Sequence, residues 1–95
     1  MKIELLCVIR GRVQGVMFRD FIQRKAQSLN IVGTVENKLD GSVEVIAAGE
    51  ELNLQKLIEL LRKGPFLTRI KIRIDSVEVK FSEVKQNFQD FKIIY

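Results

Sequence analysis

Two glycines, an amide side chain and two arginines lie close together in the segment GRVQGVMFRDF, residues 11–21. The segment follows an apolar run and precedes an amphipathic one, which indicates an exit from a strand into a helix. A glycine-bearing turn at a helix start presents main-chain N–H groups with few side chains in the way, and the helix dipole favours negative charge there. Arg19 can add a planar, permanent cation that contacts two oxygens of one anion. The segment alone fits either an anion site or a plain strand-to-helix turn with Arg19 in solvent.

Asn37 is a second polar residue that the predicted elements bring to this end of the fold. A helix from Arg19 to Asn30 travels about 18 Å at 1.5 Å per residue. A strand from Val32 to Asn37 returns roughly 20 Å at about 3.3 Å per residue, so we expect Asn37 at the level of Arg19. An amide donates to one partner and accepts from another, which is what positioning a water beside an anion requires. Asparagine also precedes hairpin turns for purely local reasons.

The composition argues against most common catalytic chemistries. The chain has no histidine and one cysteine, so it lacks the usual general base at neutral pH and the ligands of a transition-metal site. Cys7 lies inside an apolar run, where we expect a buried and inert thiol. The carboxylates fall at helix surfaces and outer strand positions, and we assign them no catalytic role. We expect no metal and no cofactor.

Length and charge limit the organisation of the chain. A chain of 95 residues is long enough for one domain and too short for two, so we expect a single domain over residues 1–95. Lysine and arginine exceed aspartate and glutamate by 16 to 12, and the net charge of +4 favours an anionic partner. No apolar run approaches the roughly 20 residues of a membrane-spanning helix, and MKIELLCVIRGR contains no complete export signal. We therefore expect a cytoplasmic monomer.

Hydrophobic periodicity predicts the elements that position these residues. Helices are predicted at 18–29 and 50–63, and strands at 2–10, 31–36, 42–48, within 69–81, and at 91–95. Leu39-Asp40-Gly41 predicts a tight hairpin between the second and third strands. The order β-α-β-β-α-β and the right-handed crossover rule predict an α+β ferredoxin-like sandwich. It has an antiparallel sheet with two helices on one face and a short C-terminal extra strand.

Two segments carry a family resemblance. GRVQGVMFR at 11–19, followed by GTVENKLDGSVEV at 33–45, resembles the acylphosphatase signature. Similar features follow in order within 49–65, at DSVEV (75–79) and at FKIIY (91–95), so the resemblance spans nearly the whole chain. Acylphosphatases are small ferredoxin-like enzymes that hydrolyse the carboxyl-phosphate anhydride of acyl phosphates to carboxylate and phosphate. They use neither a metal nor a covalent intermediate.

The resemblance also implies roles for individual residues. The main-chain amides that would hold the phosphate belong to Gln14, Gly15, Val16, Met17 and Phe18. Gly11 and Gly15 would shape this loop, Arg19 would bind phosphate oxygens, and Asn37 would orient the attacking water. The implied partners are a small acyl phosphate as substrate and inorganic phosphate as product and inhibitor. An acyl phosphate already has a good leaving group, so positioning and charge stabilisation suffice without a strong protein base.

Two alternatives remain open beside an acylphosphatase. RNA-recognition domains share this element order, but strands KIELLCVIR and SVEVIAA contain no aromatic residue on which a base can stack. The basic alternation Arg69, Lys71 and Arg73 fits either phosphate contacts or a charge-protected edge strand. A non-catalytic module can keep the same anion site, because ligation and catalysis use the same groups. We favour a free-standing, metal-independent enzyme.

Overall fold

The helices and strands occur in the predicted order. The computed structural model describes residues 2–64 and 72–95. The strands are β1 (Lys2–Arg12), β2 (Val32–Asn37), β3 (Val43–Glu50), β4 (Arg73–Ser82) and β5 (Phe91–Ile94), and the helices are α1 (Val16–Ser28) and α2 (Glu51–Lys63). Most boundaries lie within one or two residues of the predictions. The part of the predicted fourth strand at 69–71 lies outside the described residues.

The five strands form one sheet in the order β4-β1-β3-β2-β5. β1 pairs antiparallel with β3 and β4, and β2 pairs antiparallel with β3. These pairs confirm the antiparallel sheet predicted for the first four strands. β5 instead runs parallel to β2, from Gly33 opposite Phe91 to Glu36 opposite Ile94. The extra strand was predicted without a partner, and its parallel pairing makes the sheet mixed.

Both helices pack on the same face of the sheet. In α1, Phe18, Ile22 and Ala26 repeat every four residues and are fully buried, as the periodicity predicts. One core cluster joins them to alternate residues of β1 and β3 and to the apolar stripe of α2. Cys7 is fully buried in this core, and its burial raises the pKa of the thiol to about 12. The expected burial of Cys7 is therefore confirmed.

The topology places the predicted site residues at one end of the domain. The pairing of β1 with β3 and the pairing of β2 with β3 both end at Val43, which lies opposite Ile9 and opposite Asn37. α1 begins at Val16, shortly after β1 ends at Arg12. α2 begins at the other end, where Glu50 pairs with Lys2. The start of α1 and the end of β2 therefore share an end that α2 does not approach with its N-terminus.

Candidate active site

The start of α1 is a helix N-terminus without a capping side chain. Gly15 is the N-cap residue, with extended backbone at φ −173° and ψ 152°, and the first turn contains no acidic residue. α2, in contrast, carries Glu51 in its first turn. The first N–H groups of a helix have no intrahelical acceptor, and the positive end of the dipole favours an anion. The start of α1 thus has the chemistry of an anion site.

The predicted phosphate-binding residues divide between a loop and this helix. Gln14 and Gly15 precede α1, whereas Val16, Met17 and Phe18 form its first turn, two residues earlier than predicted. The N–H of Phe18 donates to the Gly15 carbonyl at 3.2 Å, so Phe18 is the least available of the predicted donors. The earlier helix start aims the other N–H groups of the turn along the helix axis.

Gly11 and Gly15 serve different purposes. A Cβ added at Gly15 would meet no other atom within 4 Å, so glycine leaves open space beside the helix start. Gly11 has φ +135°, and a Cβ there would lie 2.1 Å from the carbonyl oxygen of Arg73. It sits where the register of β1 and β4 shifts between Arg10 and Gly11. Gly11 therefore permits close strand approach at a bulge, and its implied role in shaping the anion loop stays a prediction.

Replacing Gly15 with alanine is expected to weaken binding of inorganic phosphate without destabilising the fold. Alanine adopts the extended backbone of Gly15 freely, and its methyl group enters open space beside the N–H groups. If the bound anion fills this space, an added methyl group costs about 1–3 kcal/mol of binding, so we expect roughly tenfold weaker binding. Isothermal calorimetry with phosphate and thermal melting measure the two effects.

Gly11→Ala is the matched control for that experiment. Because of its positive φ and the close Arg73 carbonyl, it should lower the free energy of unfolding by more than about 1 kcal/mol. Phosphate binding by the remaining folded protein should change less than in Gly15→Ala. Unchanged phosphate binding in Gly15→Ala would show that the anion does not bind at this helix start.

Arg19 carries a buried donor atom that no described residue satisfies. Its Nε is buried and lacks a hydrogen-bond partner among the described residues. Its Nη1 donates to the Ile94 carbonyl at 3.3 Å, and the guanidinium carbon lies 4.9 Å from the centre of the Tyr95 ring. A cation over an aromatic face is attracted to it. These two contacts orient the guanidinium and leave Nε without a partner among the described residues.

Asn37 carries a buried hydrogen-bond acceptor, whereas the unpaired atom of Arg19 is a donor. It is the last residue of β2, and its Oδ1 is buried without a hydrogen-bond partner in residues 2–64 and 72–95. Successive strand residues alternate between faces. Asn37 therefore shares the helix-covered face with Val35, which is fully buried. A buried acceptor without a partner costs about 1–3 kcal/mol, and a ligand or water that donates to it would remove this cost.

The C-terminal strand connects Arg19 to the end of β2. Arg19 contacts the carbonyl of Ile94, and Ile94 lies opposite Glu36, the residue before Asn37. Paired strands are about 4.8 Å apart. The expectation that the helix out and the strand back would bring Arg19 and Asn37 to one level agrees with this pairing.

Sequence reasoning missed two groups at this end of the fold. Gln14 was assigned only a main-chain role, but its side-chain Nε2 donates to the carbonyls of Lys38 (2.6 Å) and Ser42 (3.0 Å). The contacts of Ile94 and Tyr95 with Arg19 were not expected at all. Both depend on elements far apart in the chain, and no local pattern signals either of them.

The hairpin after Asn37 is held by Asp40. Its Oδ1 accepts from the Ser42 main-chain N–H (3.0 Å) and hydroxyl (2.6 Å), and its Oδ2 accepts from Arg10 Nη1 (3.2 Å). The hydrogen bonds from Ser42, followed by that from Arg10, lower the pKa of Asp40 from 3.8 to about 2. The turn predicted from Leu39-Asp40-Gly41 is thus present and stabilised by a charged carboxylate.

This lowered pKa predicts an acid-dependent stability. Because the folded-state value lies below the ordinary one, the charge of Asp40 stabilises the protein above about pH 4 and loses its effect as the pH falls towards about 2. The parent should therefore exceed Asp40→Asn in unfolding free energy at pH 6, and the difference should shrink towards pH 2. Urea titrations over this range measure it, and a constant difference would contradict the assignment.

The open face of the sheet offers little to a nucleic acid. The residues of β1 and β3 that point away from the helices are Glu4, Leu6, Val8, Arg10, Glu44, Ile46 and Ala48. They include no aromatic ring, and the Glu4 carboxylate accepts from the main-chain N–H of Lys85 at 3.1 Å. This described surface therefore gives no support to base stacking.

The described residues contain neither a candidate membrane-spanning helix nor a candidate metal cluster. Their helices include none with the length and apolar character that a membrane crossing requires. Among the same residues, no three or more histidine, cysteine, aspartate or glutamate side chains are grouped so that they could hold a metal ion.

Comparison with known proteins places the chain in one family. A family model described as acylphosphatase matches residues 6–93. An acylphosphatase of Archaeoglobus fulgidus is 41% identical over 93 residues, which cover 98% of this chain and 99% of the relative. One of Geotalea uraniireducens is 39% identical over 95 residues and the full length of both chains. The crystal structure of acylphosphatase from Bacillus subtilis has a TM-score of 0.87 at 34% identity and covers 98% of this chain and 99% of that one.

The family-model match at residues 6–93 includes the uncapped start of α1, Arg19, Asn37 and most of the sheet. These matches confirm the resemblance carried by GRVQGVMFR and GTVENKLDGSVEV and the predicted ferredoxin-like fold. The chain belongs to the acylphosphatase family.

Proposed function

We propose that the protein hydrolyses acyl phosphates to a carboxylate and inorganic phosphate without a metal or another cofactor. One observation carries the assignment of the site: Arg19 Nε, a buried donor, and Asn37 Oδ1, a buried acceptor, both lack partners among the described residues. A donor of this kind suits a phosphate oxygen, and an acceptor suits a proton of water. Both lie at the end of the fold where α1 begins without a cap.

The phosphoryl group of the substrate is held by the start of α1 and by Arg19. Main-chain N–H groups within residues 14–18, of which that of Phe18 is the least available, donate to its oxygens, and the guanidinium adds a planar positive charge. Charge on these oxygens changes as the phosphoryl group is transferred, so donors that are already in place lower the barrier. The contacts of Arg19 with Ile94 and Tyr95 support this role because they restrict its orientation before substrate arrives.

Asn37 orients the nucleophile. A water that donates one proton to Asn37 Oδ1 keeps its lone pair for phosphorus. Its oxygen forms a bond to phosphorus while the bond from phosphorus to the bridging oxygen breaks, and the electron pair leaves with the carboxylate. The proton of the water passes to a phosphate oxygen. Holding water and phosphoryl group together removes much of the entropic cost of their encounter.

This reaction needs no strong base from the protein. The chain contains no histidine, and a carboxylate is already a good leaving group. Within the proposal, the phosphate itself takes the proton of the water. An essential protein group that titrates near neutral pH in the profile of kcat/KM would argue against this step.

Turnover of acetyl phosphate and benzoyl phosphate tests the function directly. With a metal chelator present, we expect both substrates to disappear with simultaneous release of inorganic phosphate. Inorganic phosphate should inhibit competitively, because it occupies the same donors as the substrate. A pure, folded protein that is inert towards both substrates would overturn the proposal and leave a non-catalytic anion-binding module.

A further inference from the structure

β1 and the β2–β3 hairpin separate at the candidate site. The pairing of β1 with β3 ends at Ile9 opposite Val43. β1 then continues beside β4 as far as Arg12, which lies opposite Arg73. In the described part of the chain, no main-chain hydrogen bond joins residues 11–15 to residues 37–42. The segment that leads into the anion site and the hairpin that follows Asn37 are therefore not connected by the sheet itself.

The side chain of Gln14 bridges this separation. Its Nε2 donates to the Lys38 carbonyl at 2.6 Å and to the Ser42 carbonyl at 3.0 Å, which uses both amide protons. The same two carbonyls close the hairpin, since Ser42 O accepts from Lys38 N (2.8 Å) and Lys38 O accepts from Gly41 N (3.1 Å). One amide group thus binds both sides of the turn that begins immediately after Asn37.

Gln14 is joined to the anion site through its main chain. The next residue, Gly15, is the N-cap of α1. A shift of the Gln14 side chain relative to the hairpin therefore changes the separation between the helix start and Asn37. The other bridge to the hairpin, from Arg10 to Asp40, lies on the exposed side at 3.2 Å and precedes the bulge at Gly11. The Arg10–Asp40 pair therefore does not fix the distance between the start of α1 and the hairpin.

We propose that the Gln14 side chain is a positioning residue that sets the distance between the phosphate held at α1 and the water held by Asn37. This inference rests on the proposed hydrolytic function. Reacting atoms must approach to about 3–3.5 Å, and a misplacement of about 1 Å can cost on the order of 100-fold in rate. A hairpin released from Gln14 still holds a water, but at a less favourable distance from phosphorus.

Gln14→Met tests this role because methionine has a similar length and shape but no donor. The main-chain N–H groups remain, so the inhibition constant of inorganic phosphate should change by less than about threefold. The kcat for acetyl phosphate should fall by about 10- to 100-fold. Arg10→Ala is the control, since it removes the other hairpin bridge without touching the anion site, and it should keep the kcat of the parent.

A double-mutant cycle with Asn37→Ala shows whether Gln14 acts through Asn37. If it does, Gln14→Met should reduce kcat by less than about twofold when Asn37 is already absent, because no positioned water remains to be displaced. Melting temperatures of all variants separate this effect from loss of the fold.

Three results would overturn the proposal. They are an unchanged kcat in Gln14→Met, losses that multiply fully in the double variant, or a loss of phosphate binding equal to the loss of kcat. An inert parent enzyme would instead remove the proposed function itself. The two failures are distinguishable, because only the second is seen before any substitution is made.

Discussion

Replacing Arg19 with alanine is expected to lower kcat/KM for acetyl phosphate by about 10³-fold or more. The guanidinium supplies a charged side-chain contact with phosphate in the proposed site, and its Nε is buried without a partner in the described residues. The same change should weaken competitive inhibition by inorganic phosphate. Arg19→Lys should recover only part of the activity, because an ammonium group cannot bind two oxygens with a planar pair of donors. Initial rates with a chelator present measure these effects.

The stability of Arg19→Ala should stay close to that of the parent. The unpaired buried Nε costs folding free energy, which offsets the loss of the contacts with Ile94 and Tyr95, and positions optimised for a ligand are often not optimal for stability. Arg24→Ala is the matched control on the same helix, since Arg24 is exposed and ion-paired with Asp20. It should keep the activity of the parent. If Arg19→Ala shows the turnover and the phosphate inhibition of the parent, Arg19 does not belong to the site.

The fold was predictable to the extent that local patterns determine it. The four-residue spacing of Phe18, Ile22 and Ala26 specifies a helix and the face that it buries. Asn30 was expected to end α1, and it has the positive φ (57°) typical of that position. β5 shows the limit of this approach. Its four residues pair parallel with β2 at the far edge of the sheet from β4, and a strand that short carries no pattern that selects a partner.

The candidate site was also predictable only in part. Residue type and spacing predicted the anion chemistry at the start of α1 and the return of Asn37 to that end. They did not predict the close approach of Gly11 to the Arg73 carbonyl on a neighbouring strand, which its positive φ permits. They also failed for the side chain of Gln14, which bonds carbonyls more than twenty residues away. In each case a contact between distant segments decides the role of the residue, and one-dimensional patterns do not contain such contacts.

Replacing Asn37 with alanine is expected to lower kcat by about 10²- to 10³-fold while largely sparing the inhibition constant of inorganic phosphate. The buried Oδ1 of Asn37 lacks a partner in the described residues and is proposed to accept a proton from the attacking water. Phosphate alone needs no such water, so its affinity depends on α1 and Arg19. Single-turnover rates together with phosphate inhibition separate the two quantities. The pattern differs from that of Arg19→Ala, in which both should suffer.

Asn53→Ala is the control for this substitution. Asn53 lies in α2, which starts at the end of the sheet where Glu50 pairs with Lys2, far along β3 from Asn37 opposite Val43. It should leave both quantities unchanged. Asn37→Asp adds a more severe test, because it keeps an acceptor for water but places negative charge beside the phosphate. It should weaken phosphate binding as well as kcat. Equal losses of phosphate affinity in Asn37→Ala and Arg19→Ala would mean that Asn37 binds the phosphate rather than the water.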